Sequence, residues 1–173
     1  MRDFMRFLPL SQRTPTDESM VSSDWRTALA AVLDAVFLMI PHDSPRSVSQ
    51  GFLESAGLAE ESPDGNLPAA ATRVRTGRRR PIRALSRAVT AQLRLARDLG
   101  VTPSIDPLTL GAVALHRTGA APLEIRAVIK GHTLRATDAD WSFGHGPVLE
   151  GTALDIVAFL FGVSDEAPKA AAR

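Results

Sequence analysis

From Trp25 through Leu29, Val32 and Val36 to Ile40, apolar residues return every three or four positions, the spacing of one helix face. Leu33, Phe37 and Leu38 widen the stripe, which predicts a mostly buried helix opening at Asp24 under a Ser22 or Ser23 cap and stopped by Pro41. Val48, Phe52, Leu53 and Leu58 predict a second, short helix over 46–58 with Gly57 near its end. Residues 44–58 space their turn signals too loosely for a helix-turn-helix, and short connected helices fit them better. Glu60, Glu61, Pro63, Asp64-Gly65-Asn66 and Pro68 read as turn and linker chemistry over 59–72. The clearest amphipathic helix spans 81–99. Ile82, Leu85, Val89, Leu93 and Ala96 make its apolar stripe, and Arg83, Arg87, Arg94 and Arg97 fall on nearly the opposite side, with Arg80 extending the row and Gly100 closing it.

Beyond Pro103 the period changes. Residues 108–116 form a short apolar run of strand length, and 123–130 alternate, with Leu123, Ile125, Ala127 and Ile129 on one face. Further strands are predicted at 133–137, around Trp141 and Phe143, and at Val148-Leu149, separated by Gly131-His132, by Asp138-Ala139-Asp140 and by the loop Gly144-His145-Gly146-Pro147. Thr152 with Asp155 resembles a capping box ahead of an apolar, buried helix from Ala153 to Phe161, ended by Gly162. The fold class predicted is α+β: N-terminal helices, then a small antiparallel or mixed sheet closed by a C-terminal helix. The chain divides into a loosely ordered lead-in (1–21), a helical region (22–100), an α+β module (101–163) and a polar tail (164–173).

Composition narrows the class without naming a function. The 173 residues are 45% hydrophobic with a net charge of +1, which excludes a wholly disordered chain. The absence of cysteine excludes a disulfide framework, thiolate metal sites and a cysteine nucleophile. No apolar run reaches the ~20 residues of a membrane span, and the opening residues hold no apolar stretch of about 7–15 residues as a signal peptide would, so a cytoplasmic protein with no membrane association is expected. The small net charge is a cancellation: −5 over residues 1–70, +8 over 71–100 and −2 over 101–173. Eighteen of the twenty bases are Arg and Ala occurs 26 times, a bias that looks as much genomic as functional.

The basic block is the sharpest chemical feature. Guanidinium forks match phosphate and carboxylate bidentately, so Arg79, Arg80, Arg83 and Arg87 are candidate anion ligands. Arg73, Arg75 and Arg78 complete the block. No aromatic residue interleaves it, which weakens a nucleic-acid reading, and a solvated helix face pairing with the acidic N-terminal third is favoured. His42, His116, His132 and His145 have no Glu or His four positions before them, so zinc is not expected. Asp138 and Asp140 suit turn chemistry better than a carboxylate dyad.

The run from Gly131 to Pro147 (GHTLRATDADWSFGHGP), followed by Val148-Leu149-Glu150-Gly151-Thr152-Ala153-Leu154-Asp155, resembles the C-terminal domain of the mycothiol-dependent maleylpyruvate isomerase family of actinobacteria. The likeness covers about residues 105–163. It implies a curled sheet with packed helices, similar to sterol carrier protein type two. The residues of the motif read as structural in their own right: Trp141 needs a large buried site with a partner for its N–H, Asp138 and Asp140 flank a tight turn, and Gly144 and Gly146, with Gly151 in the same motif, suit backbone angles other residues resist. The likeness further implies a thiol cofactor, mycothiol, bound through basic residues, among which Arg135 lies inside the matching segment. That family's metal sits in an N-terminal helical bundle on histidines and a glutamate, a spacing this sequence lacks, so the 22–100 region reads as an incomplete or diverged bundle. The expected function is a diverged, non-catalytic member of the family that binds a small molecule, a thiol or metabolite, or a partner. An active metal- and thiol-dependent isomerase or transferase, and an Arg-rich protein binding nucleic acid or another anion, are the alternatives.

Overall fold

The computed structural model describes residues 24–171; the lead-in expected over 1–21 and the Ser22 or Ser23 cap lie outside them. The fold is α+β, with helices first and a small mixed sheet after them. Helix α1 (Arg26–Met39) lies along α3 (Leu67–Thr76) and crosses α4 (Ile82–Leu99), while α2 (Arg46–Ala56) packs on α4. Helix α5 (Pro107–Thr118) joins α4 to α7 (Ala153–Leu160), and the short α6 (Leu123–Ile129) leads into the sheet. The sheet has the order β2 (Ser142–Gly144), β1 (Thr133–Ala136), β3 (Val148–Gly151) and β4 (Lys169–Ala170). Its β1–β2 and β3–β4 pairs are antiparallel, whereas β1 and β3 run parallel, in register from Thr133 opposite Val148 to Ala136 opposite Gly151.

One continuous apolar cluster threads these elements: Leu29, Leu33 and Val36 of α1, Leu53 of α2, Val74 of α3, Leu85 and Val89 of α4, Val113 of α5, Leu134 of β1, and Ile156 and Leu160 of α7 are all buried. The predicted stripe of α4 is the buried one, and Gly100 ends the helix at φ +67°, a conformation open to a residue without Cβ. Helix α1 is less enclosed than its composition suggests, since Phe37 and Leu38 are 48% and 80% exposed. No helix among the described residues is long and apolar enough to cross a membrane.

Four expectations are corrected. The linker drawn over 59–72 shrinks to a 3-10 turn (Ala59–Glu61) and a short loop, because Asn66 caps a helix over its second half. The Asn66 side chain accepts from the Ala69 N–H at 3.0 Å, Pro68 sits in the first turn, and Leu67, Ala70, Ala71 and Val74 are buried at helical spacing. The strand drawn over 108–116 is helix α5: Asp106 caps Thr109 N–H at 2.8 Å, Pro107 opens the first turn, and burial falls on Leu110, Val113 and Ala114. A continuous apolar run has no period of its own, so the cap decided. The strand drawn over 123–130 is helix α6. Its alternation was not a record of burial, since Ile129 alone in that helix is buried while Leu123 is 69% exposed. Finally, the polar tail returns as β4, with Lys169 opposite Glu150 and Ala170 opposite Leu149.

A candidate anion-binding cleft

The basic block divides in two where α4 begins. Its first half turns onto the acidic N-terminal third: Arg75 pairs with Asp34, the Arg73 guanidinium donates to the Glu61 carbonyl, and Arg80, whose side chain is only 11% exposed, pairs with the Glu61 carboxylate. Arg80 also ties the helix entry together, its N–H donating to Asp24 Oδ1 at 3.3 Å and its carbonyl accepting from Trp25 N–H at 3.0 Å. Burial alone would raise the Asp24 carboxyl, but hydrogen bonds from the Arg26 side chain and from the Arg80 and Arg26 N–H groups outweigh it and hold the group below its ordinary value. Arg78 and Arg79 stand exposed in the loop before Pro81.

The second half opens on a cleft of about 520 Å³ between α4, the end of α2, the last turn of α5 and Phe161. Arg83, Arg87, Thr90 and Arg94 succeed one another at four-, three- and four-residue steps, so they share one face of α4, over about 16 Å at 1.5 Å per residue. Arg117 and His116, from α5, complete the basic wall. Among the described residues no carboxylate lines the cleft.

Two of the four guanidinium groups are fixed. Arg87 Nε donates to the Ser55 carbonyl at 2.9 Å, on the carbonyl-rich end of α2 where a cation is favoured, and the guanidinium lies over Gly57 so closely that a Cβ there would sit 2.6 Å from Nη1. Arg117 Nε donates to the Leu160 carbonyl at 3.1 Å and Nη1 to the Ala120 carbonyl at 3.2 Å, with the guanidinium carbon 5.0 Å from the centre of the Phe161 ring. Arg83 and Arg94 make no hydrogen bond or ion pair with any described residue. The buried Ser86 hydroxyl beside them likewise has no partner among the described residues. Like charges gathered in one cleft repel, and an entering anion relieves that repulsion while gaining preset donors.

The remaining predicted residues serve elsewhere. Arg135, on β1, faces its register partner Glu150 and bonds it at 2.5 Å, outside the basic cleft. Asp138 Oδ1 accepts from the Ala153 N–H at 2.6 Å, so the β1–β2 turn supplies a cap for α7 alongside Thr152, which accepts from the Asp155 N–H at 3.1 Å. Asp140 is exposed in that turn. Trp141 is half-buried, donates Nε1–H to the Pro107 carbonyl at 3.2 Å and stacks on Phe143 at 5.5 Å between centroids. Gly144 (φ +113°) and Gly146 (φ +101°) are required by close approach, since a Cβ at either would meet the His132 or Gly131 carbonyl oxygen at 2.3 or 2.2 Å. Gly151 has ordinary room.

The cleft residues missed in the sequence are His116, at the end of the segment read as a strand, and Arg117, just past it; the Asp106-Pro107 helix start is the signal that places both in a last helical turn. Among the described residues no three His, Asp or Glu side chains gather as a metal ion needs, so the ligand set that the resemblance implies has no counterpart among them. Comparison with family models, with curated proteins and with solved structures returns no match for this chain.

Proposed function

We propose that the chain is a cytoplasmic, non-catalytic binding module, a diverged relative of the mycothiol-dependent maleylpyruvate isomerase family, whose basic cleft holds a small organic anion. The observation that carries this reading is the set of four guanidinium groups in one cleft of about 520 Å³ in which, among the described residues, there is no carboxylate and two of the four are unpaired. A volume of that size suits a metabolite more than a macromolecular surface. The spread of bases along α4 suits a ligand with two anionic groups, such as a diphosphate or a phosphorylated carboxylate. The resemblance adds the order of parts after Gly131: hairpin, returning strand, capped apolar helix.

The test is calorimetric titration with inorganic pyrophosphate at low salt, beside a random-sequence DNA duplex. Pyrophosphate is expected to bind one to one, more weakly as salt rises, and at least tenfold more weakly in the Arg83→Ala/Arg94→Ala variant, about 1.4 kcal/mol. Both replaced side chains are exposed, so the thermal melt should not move. Duplex binding tighter than pyrophosphate binding and lost in the same variant would make this face a nucleic-acid surface. No heat from either would remove the anion reading.

A further inference from the structure

A second cleft, of about 600 Å³, lies on the other element the sequence misassigned. As a strand, residues 123–130 would put Leu123 and Ala127 on one face and Arg126 and Lys130 on the other. As helix α6 the same residues fall at three- and four-residue steps, so Leu123, Arg126, Ala127 and Lys130 share one face, and all four line the cleft. The floor comes from the sheet: Leu134 of β1 and Phe143 of β2, which are register partners.

The cleft is therefore an apolar slot with cations at its rim. Neither the Arg126 nor the Lys130 side chain is paired with any described residue, and among the described residues no acidic side chain lines the slot. Leu123 is left 69% exposed, and Phe143 is only half-buried although its ring stacks on Trp141. Apolar side chains kept open beside unpaired cations are complementary to a molecule with an apolar body and an anionic head. The basic cleft on α4 differs in kind, for its wall carries four guanidinium groups and a smaller share of exposed hydrocarbon than this slot.

We propose that this slot is a binding site for a small amphipathic monocarboxylate, its hydrocarbon body on Leu123, Ala127, Leu134 and Phe143 and its carboxylate between Arg126 and Lys130. The site is independent of the anion-binding reading of the α4 cleft.

Trp141, stacked on the floor residue Phe143, is a built-in reporter, and the chain has only one other tryptophan, Trp25. In a Trp25→Phe variant, Trp141 emission is followed during titration with octanoate and, separately, with 1-octanol. Octanoate is expected to change the emission saturably, one per chain, at concentrations at least fivefold below those of 1-octanol. Arg126→Ala/Lys130→Ala should abolish that preference while leaving the response to the alcohol in place, and Leu123→Ser should weaken both ligands. All three positions are exposed, so the variants are expected to fold, which their melting curves would confirm. Inorganic pyrophosphate at concentrations that saturate the α4 cleft should not displace octanoate; displacement would overturn the assignment to a separate site. A linear, unsaturated response, equal binding of acid and alcohol, or no octanoate bound in equilibrium dialysis would each overturn the proposal.

Discussion

Two polar side chains, one buried on α4 and one mostly buried just before it, behave oppositely, and the difference lies in their partners. Gln92 is fully buried; its Nε2 reaches the Ser104 carbonyl only at 3.5 Å and its Oε1 has no partner among the described residues. An unsatisfied buried oxygen costs about 1–3 kcal/mol, so Gln92→Met, which keeps the length of the side chain, is expected to leave stability unchanged or raise it by about 1 kcal/mol. The reading is a denaturant midpoint that holds or rises at constant slope. Arg80 is different because its charge is matched by Glu61 in a mostly buried pair, although its Nε lacks a partner. Arg80→Ala leaves the Glu61 carboxylate, with its side chain 20% exposed, without that ion pair, and is expected to lower stability by about 3 kcal/mol in the same measurement. An Arg block in the sequence thus contains residues with opposite duties, and nothing in its composition separates Arg80, which holds α1 to the start of α4, from Arg83, which faces a cleft.

Helix α5 depends on one contact that its own residues do not reveal. A Cβ at Gly111 would lie 2.8 Å from Trp141 Cδ1, and that ring is held by its bond to the Pro107 carbonyl and by Phe143. Gly111→Ala is therefore expected to destabilise by about 1–3 kcal/mol through overpacking, although alanine favours a helix by about 1 kcal/mol in the absence of such a contact. A lowered melting temperature together with a shifted Trp141 emission would record it; a stabilised variant would contradict it. Asp138 is the corresponding contact for α7, and Asp138→Ala should cost about 1 kcal/mol by leaving the Ala153 N–H without its cap. These contacts explain what was legible. Helix α4 was readable because its apolar stripe and its Arg row sit on opposite sides, and the hairpin at 133–144 was readable from Gly131, Asp138 and Gly144 at its turns. Helices α5 and α6 were not, because their apolar residues are not all inside: Leu108 is 76% exposed and Leu123 nearly as much. With apolar residues on both faces, period carries little information, and the outcome rests on caps and on a tryptophan some thirty residues away. Half of the basic cleft was legible for the same reason α4 was; the other half came with α5.

For the molecule as a whole, the near-zero net charge resolves into internal pairing on one side and open basic surface on the other. Two hydrogen-bonded carboxyls on that side contribute to the response to acid. The Asp64 carboxyl is held low by the Ser62 hydroxyl and the Asn66 N–H, against a smaller opposing effect of burial, and Asp24 is lowered as well. A carboxyl lowered in the folded state contributes stability in full above its ordinary value of 3.8 and loses it as pH falls below that value. Denaturant midpoints should accordingly fall below about pH 4, and the fall should be shallower in Asp64→Asn, which no longer titrates; identical acid limbs would contradict the assignment. The open side bears on how freely the chain can vary. Gly57 ends α2 at φ +71°, and the same missing Cβ leaves the space in which the Arg87 guanidinium rests. Alanine at 57 would strain the backbone and push a charge out of the wall of the cleft, so a position that does not itself line the cleft and carries no charge is closed to drift on two counts, and a screen for loss of the proposed anion binding should recover it beside the arginines themselves.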